Sequence, residues 1–207
     1  MTTLCARAVQ GLVAASLFVS TGLAAQVDFE SVPVGTVYGD PVGNVPGDVV
    51  LSQDGIDLSV ESFFLGTFVG FNQAEVGGRY AGFFSSTPLE LDNISVRFDF
   101  SDVGFPVTGV SLEFQEFGGA DNFAVNDGSV LVLNSLTDLP TDIAPGVTAT
   151  VDGGVITLTG PVSSFQIGGQ ELAVDTIVAV PEPATLALLI LGGGWLAMRR
   201  RLNRPRR

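Results

Sequence analysis

Apolar and polar residues alternate with a period of two along most of the chain between Val27 and Val180. In "GIDLSVESF", Ile56, Leu58, Val60 and Ser62 fall on one side of an extended chain and Asp57, Ser59, Glu61 and Phe63 on the other, as in a strand half-buried against a core. "ISVRFDF" sets Ile94, Val96, Phe98 and Phe100 against Ser95, Arg97 and Asp99, and "VSLEFQEF" sets Val110, Leu112 and Phe114 against Ser111, Glu113 and Gln115. "SVLVLNSL", "GVTATV", "GVITLTG", "SSFQIGG" and "LAVDTIVAV" continue the pattern. Clusters of Gly, Pro, Asn and Asp punctuate these runs every ten residues or so, at roughly the spacing of an all-β domain. Asp152-Gly153-Gly154, between "TATV" and "VITL", suits a tight hairpin. No stretch of this region has a helical period. The pattern predicts an all-β fold, an antiparallel two-sheet β-sandwich of jelly-roll type.

Two apolar runs stand outside this alternation, one at each end. "MTTLCARAVQGLVAASLFVSTGLAAQ" places Arg7 before an apolar run from Ala8 to about Leu23, with small residues at Gly22, Ala24 and Ala25. That order is the one a secretory signal peptide has, with cleavage after Ala24 or Ala25. Cys5 precedes the apolar run, so it cannot be a lipidated residue exposed by cleavage, and the mature chain has no cysteine. Disulfides, thiol catalysis and zinc-thiolate sites are thereby excluded.

At the other end, Ala184 to Met198 runs 15 residues without a charge. As a helix this spans about 22 Å, short of the ~30 Å hydrocarbon core but within reach of a thinned bilayer with snorkelling arginines. Arg199, Arg200 and Arg201 would stay on the cytoplasmic side, leaving the body outside the cytoplasm. Pro181 and Pro183 keep the helix from extending backwards and favour an extended strip at Pro181-Glu182-Pro183.

Charge is distributed unevenly between these ends and the body. From Gln26 to Val180 there are 21 acidic residues against Arg79 and Arg97, a formal −19, while the whole chain has neither His nor Lys. Such a surface repels phosphate backbones and excludes nucleic acid as a partner. The 14 Phe that follow the signal region, with the Val, Ile and Leu of the strands, supply enough apolar surface for a single folded domain.

The ordered series Val180-Pro181-Glu182-Pro183-Ala184, apolar stretch with Gly192-Gly193-Gly194 and Trp195, then Arg199-Arg200-Arg201 resembles the PEP-CTERM sorting signal of Gram-negative bacteria. The likeness covers about 28 of the 207 residues. It implies recognition by an exosortase, removal of the tail near the Pro-Glu-Pro motif, and transit through the inner membrane to the cell surface or extracellular matrix. Signal peptidase and the secretion machinery are the other partners it implies. The signal is shared by unrelated bodies, so it carries an address and no activity. The expected organisation is a signal peptide over 1–25, a β-sandwich over 26–179 and the sorting signal with a single hydrophobic helix over 180–207.

Catalytic chemistry has little to work with. Without His, Lys or Cys in the mature chain, Ser-His-Asp, Ser-Lys and Cys-His systems cannot be assembled. Glu90-Leu91-Asp92 resembles the start of the E-x-D-x-x-E motif of jelly-roll glycosidases, but the last glutamate falls on Ser95. Glu113 and Glu116, three apart on a strand, belong to opposite faces. "VDFESVPVGT" and "ELAVDTI" resemble the first and last strands of jelly-roll carbohydrate-binding modules, which implies a structural calcium ion shared by Glu30 and Asp175. Such modules stack sugars on Trp or Tyr, and the body offers only Tyr38 and Tyr80. Phe63, Phe64, Phe68, Phe71, Phe83 and Phe84 are expected in the core. "DNFAVNDGS" has the composition of a calcium loop without EF-hand spacing and is expected to be a turn. Asn93-Ile94-Ser95 is a sequon by pattern alone, inside an expected strand.

The sequence therefore points to an exported, non-enzymatic protein of a bacterial surface or biofilm matrix. The alternative is a carbohydrate-binding module holding extracellular polysaccharide, and a glycoside hydrolase comes third.

Overall fold

The computed structural model describes residues 24–181. The expected signal peptide before Ala24 and the expected sorting signal from Glu182 onward, with Pro183 and Arg199 to Arg201, lie outside the described residues. In chain order the strands are β1 (Ala25–Val27), β2 (Val37–Gly39), β3 (Val49–Gln53), β4 (Ile56–Glu61), β5 (Phe63–Leu65), β6 (Phe68–Gly70), β7 (Gln73–Val76), β8 (Leu89–Asp92), β9 (Ile94–Asp99), β10 (Val107–Val125), β11 (Leu131–Leu133), β12 (Asp142–Ala144), β13 (Val147–Asp152), β14 (Val155–Thr159) and β15 (Ser164–Pro181). Three short 3-10 turns, at Asp40–Val42, Ala81–Phe83 and Leu136–Asp138, are the only helical elements among the described residues. All the pairings are antiparallel, as the alternation predicts.

Thirteen strands form one hydrogen-bonded sheet, and β5 and β6 form a separate two-stranded one. The large sheet is organised by β10 and β15, which pair with each other from Val107↔Pro181 to Val125↔Phe165. Their two halves have different neighbours. The first half of β10 pairs with β14, and its second half pairs with β11. Along its other edge β15 meets β9, then β8, then β1 in succession. From β8 the sheet continues through β7 to β2.

These two strands are 19 and 18 residues long, where the sequence pattern predicts shorter ones broken at glycines. The breaks are absorbed as bulges. The register shifts around Gly118, and Gly119 adopts φ +87, a conformation that a residue with a Cβ disfavours. Gly168 stays in the strand because Ser95 of β9 packs against it, and a Cβ there would lie 2.7 Å from the Ser95 Cα.

The predicted inward faces are the buried ones. Ile56, Leu58 and Val60, then Ile94, Val96 and Phe98, then Val110 and Leu112 are buried, while their alternates are partly exposed except Ser95. They join one hydrophobic cluster with Val27, Phe29, Leu89, Leu91, Phe123, Leu158 and Ile177. Phe98 of β9 lies opposite Phe165 of β15 in register, with ring centroids 4.9 Å apart, and Phe123 of β10 follows at 6.0 Å. Fully burying each such ring contributes about 1.5–3 kcal/mol. The Asp152-Gly153-Gly154 hairpin forms as expected: Gly153 and Gly154 have φ +57 and +82, and Asp152 pairs with Val155.

Some expectations fail for local reasons. Asp121 to Val125 of "DNFAVNDGS" continue β10, and the turn begins only at Asn126. Of the phenylalanines expected in the core, Phe63 is buried and Phe71 packs at its edge, but Phe64, Phe68 and Phe83 are 36%, 53% and 68% exposed. The chain breaks between β4 and β5, so Phe63 turns inward although the alternation assigns it to the polar side. The β5–β6 hairpin then holds its tip residues away from the core.

Candidate functional site

The face of β7, β8, β15 and β10 that points away from the core is almost wholly polar. On β7 and β8 the core side carries Ala74, Val76, Leu89 and Leu91, so the alternates Gln73, Glu75, Glu90 and Asp92 share the opposite side. Register extends this face across the sheet: Glu90 lies opposite both Glu75 and Ala173, Ala173 opposite Gln115, and Asp175 opposite Glu113. The segment from Gly77 to Pro88 passes over it and is fastened to it through carboxylates.

Four contacts make this fastening. Tyr80 donates its backbone N–H to Glu90 Oε1. Arg79 pairs with Glu171 at 3.3 Å. Ser86 donates its hydroxyl to Asp175 Oδ2, and the neighbouring Thr87 N–H donates to Glu30 Oε1 at 2.7 Å. Aromatic packing adds to them: Tyr80 stacks on Phe117 of β10, centroids 3.5 Å apart and planes within 6°, and Phe83 meets Phe117 edge-on. The Arg79 guanidinium lies 4.6 Å from the Tyr80 ring centre.

Beneath this segment a cleft of about 340 Å³ opens, lined by Gln73, Glu75, Gly78, Arg79, Tyr80, Glu90, Leu91 and Asp92. A smaller hollow of about 250 Å³ shares Asp92 with it and continues over Asn93, Gly118, Gly119, Gln170 and Glu171. Glu90 is 9% exposed, and only its Oε1 receives a donor among the described residues. Hydroxyl-rich ligands suit such a surface, since carboxylates accept and the amides of Gln73, Gln170 and Asn93 both donate and accept. Another hollow, between Phe105, Pro106, Pro161 and Val162, is larger at about 520 Å³ and lined mainly by apolar side chains. There the Asn126 Oδ1 is already taken by the N–H and hydroxyl of Ser163.

The residues singled out from sequence fall in and around the polar face. Glu30 and Asp175 are brought to consecutive residues, Thr87 and Ser86. What stands between them, however, is a set of donors: both Asp175 oxygens accept, from the Ser86 hydroxyl and from the Thr176 N–H at 2.7 Å. Calcium needs six or more oxygen ligands, and among the described residues no group of three or more His, Cys, Asp or Glu is placed to hold a metal. As it stands, the arrangement is a hydrogen-bonded latch. Burial pushes the Asp175 pKa up, the bonds from Ser86 and Thr176 oppose this, and the charges of Glu113 and Glu30 add to it.

Glu90 and Asp92 line the cleft together, but the third position of the glycosidase-like motif does not. Asn93 takes φ +50 and turns the chain into β9, where Ser95 is fully buried against Gly168. Tyr38 packs partly buried against the core, whereas Tyr80 borders the cleft. Pro181 ends β15, opposite Val107. The neighbouring roles of Arg79, Phe117 and Glu171 escape sequence reading, although Gln73-x-Glu75 and Glu90-x-Asp92 already form two polar stripes of period two.

A separate carboxyl pair sits on the core side of β10. Glu116 accepts from the Ser135 hydroxyl at 3.0 Å and the Leu136 N–H at 2.5 Å, and it faces Asp121, which is 2% exposed. Burial above all, then a hydrogen bond to Glu116 and its charge, push the Asp121 pKa up to about 8. Asp121 thus keeps its proton at neutral pH and shares it with Glu116, away from the cleft.

Comparison with known proteins gives no match of any kind: no family model, no curated protein and no solved structure is similar to this chain.

Proposed function

We propose that this chain is an exported, non-enzymatic protein of a Gram-negative bacterial surface or extracellular matrix. In this reading an exosortase trims it at Pro181-Glu182-Pro183, after signal peptidase and the secretion machinery have carried it to the inner membrane. The body is read as a jelly-roll-like sandwich in which β10 and β15 serve both layers. Their changing neighbours and the single hydrophobic cluster that the halves share support this. Intact mass spectrometry of the protein recovered from its host tests the routing. The expected product ends near Pro181 to Pro183, and one that still carries Arg199 to Arg207 refutes it.

A second reading, that the body holds extracellular polysaccharide, is favoured by one observation. The cleft under Gly77 to Pro88 is open, polar and bordered by Tyr80, with unengaged acceptors at Glu75 and Glu90. Saturable binding on a glycan array supports it, and loss of that binding in Tyr80→Ala, with Tyr38→Ala unaffected, places it at this cleft.

A further inference from the structure

We infer that the free edge of the β5–β6 hairpin is a self-association surface, on which β6 pairs antiparallel with β6 of a second copy of this chain. The inference stands apart from the routing and polysaccharide readings. It starts from how the hairpin is held. Asn122 of β10 accepts from the Phe64 N–H at 2.6 Å and donates to the Phe64 carbonyl at 2.8 Å, as a neighbouring strand would. Both backbone groups of Phe64 thus point away from β6, and Phe64↔Val69 is the non-hydrogen-bonded pair of the hairpin. In such a pair the N–H and C=O of Val69 point to the opposite edge, where the described residues give them no partner. Val69 is 57% exposed. One edge of the hairpin is therefore capped, and the other presents a donor and an acceptor to solvent.

Charge and sequence point to a second copy as what covers this edge. Edge strands are ordinarily guarded by charge or proline, and the chain does so elsewhere: Asp40-Pro41 follow β2, Pro46 and Asp48 precede β3, and β12 carries Asp142 and is followed by Pro145. From Ser62 to Gln73 there is neither a charge nor a proline. A basic partner is drawn to the acidic faces of the body, whereas two bodies of formal charge −19 repel each other wherever carboxylates meet and approach at least cost across such a neutral stretch. An antiparallel pair has a two-fold axis, so identical strands satisfy each other: Val69 of one copy faces Val69 of the other, and the two exchange both hydrogen bonds. Leu65 and Phe68 lie on one face of the four-stranded sheet so formed, Phe64 and Val69 on the other, and all four are exposed in the single chain. Asn122, which holds the hairpin, is level with Gly168 of β15, and Pro181 lies about 40 Å further along that strand at ~3.3 Å per residue, with Ala25 beside Ala179. Both ends of the described chain are thus far along the strand from the contact. The apolar surface at the hairpin is on the order of 300 Å² per copy, under the ~800 Å² per partner of a stable complex, so the pair is weak.

Sedimentation equilibrium of the exported protein recovered from its host, from about 5 μM to about 1 mM, tests this. A dimer is expected to appear above about 0.1 mM and to grow with salt, which screens the repulsion between the bodies. Hydrogen exchange at the Val69 amide is expected to slow severalfold over the same range. Val69→Pro removes the outward donor and leaves the β5–β6 bonds in place, and Phe68→Asp sets a charge on the neutral stretch. Each is expected to raise the Kd of the dimer at least about tenfold. A protein that stays monomeric up to about 1 mM overturns the inference, as does a dimer that persists in either variant or weakens as salt rises. A monomer that instead binds vesicles of phosphatidylcholine makes the hairpin a lipid contact and overturns it too.

Discussion

Replacing Asp121 by Asn should flatten the pH dependence of stability on the alkaline side of neutrality. Asp121 is buried on β10 against Glu116, and its pKa rises from 3.8 to about 8 in the fold. Because the folded value is the higher one, the contribution of this carboxyl is fully present below about 3.8 and is lost as pH rises through about 8. Between those limits the folded state holds one more proton than the unfolded chain. Stability then falls by about 1.4 kcal/mol per pH unit, which from pH 6 to pH 8 amounts to about 2 kcal/mol as the titration reaches its midpoint. In a domain of this size that is about 4–8 °C in Tm. An Asn amide keeps a donor toward Glu116 but has no proton to lose. Thermal melts of wild type and Asp121→Asn at pH 6, 7 and 8 should therefore converge at the acid end and separate toward pH 8, with the variant more stable there. Asp175 titrates in both proteins, so its effect cancels in the difference. Parallel curves, or a variant that falls more steeply, would refute the shared proton.

Asn122, fully buried, accepts from the Phe64 N–H at 2.6 Å and donates to the Phe64 carbonyl at 2.8 Å. Asn122→Ala should cost about 2–3 kcal/mol and speed hydrogen exchange in the β5–β6 hairpin, and unchanged exchange there would deny the latch. Ser86→Ala removes the hydroxyl donor to buried Asp175 and should cost about 1–2 kcal/mol in denaturant titrations. A chelator should leave the wild-type Tm where it is. A melt that drops in chelator would restore calcium at Glu30 and Asp175.

The strand positions were legible because burial on one side forces period two, and Ile56 to Val60 and Ile94 to Phe98 obey it residue by residue. Strand length was not. Gly118-Gly119 and Gly168-Gly169 have the composition of turns, yet cross-strand pairing with Glu171 and Ser95 continues through or beside them. A bulge and a break share the same residues, and only the partner strand decides between them. Phe64, Phe68 and Phe83 mislead for a related reason, since composition places a phenylalanine inside while a short separate hairpin or a 3-10 turn can hold it out.

The candidate site was legible only in fragments, because it is made between elements far apart in the chain. Glu90 and Asp92 stood out as neighbours, and Glu30 and Asp175 through a likeness between strands, but neither pair read alone shows the segment that they fasten. In the fold, Glu30, Glu90, Glu171 and Asp175 each hold part of one segment, Arg79 to Thr87. Four carboxylates in this role would repel one another on a bare sheet; N–H, hydroxyl and guanidinium groups from the segment are what make the cluster tolerable. Glu75 and Glu90 Oε2 take no such donor among the described residues, so the part of the face that the chain leaves uncovered is the part whose acceptors stay open to water or a ligand.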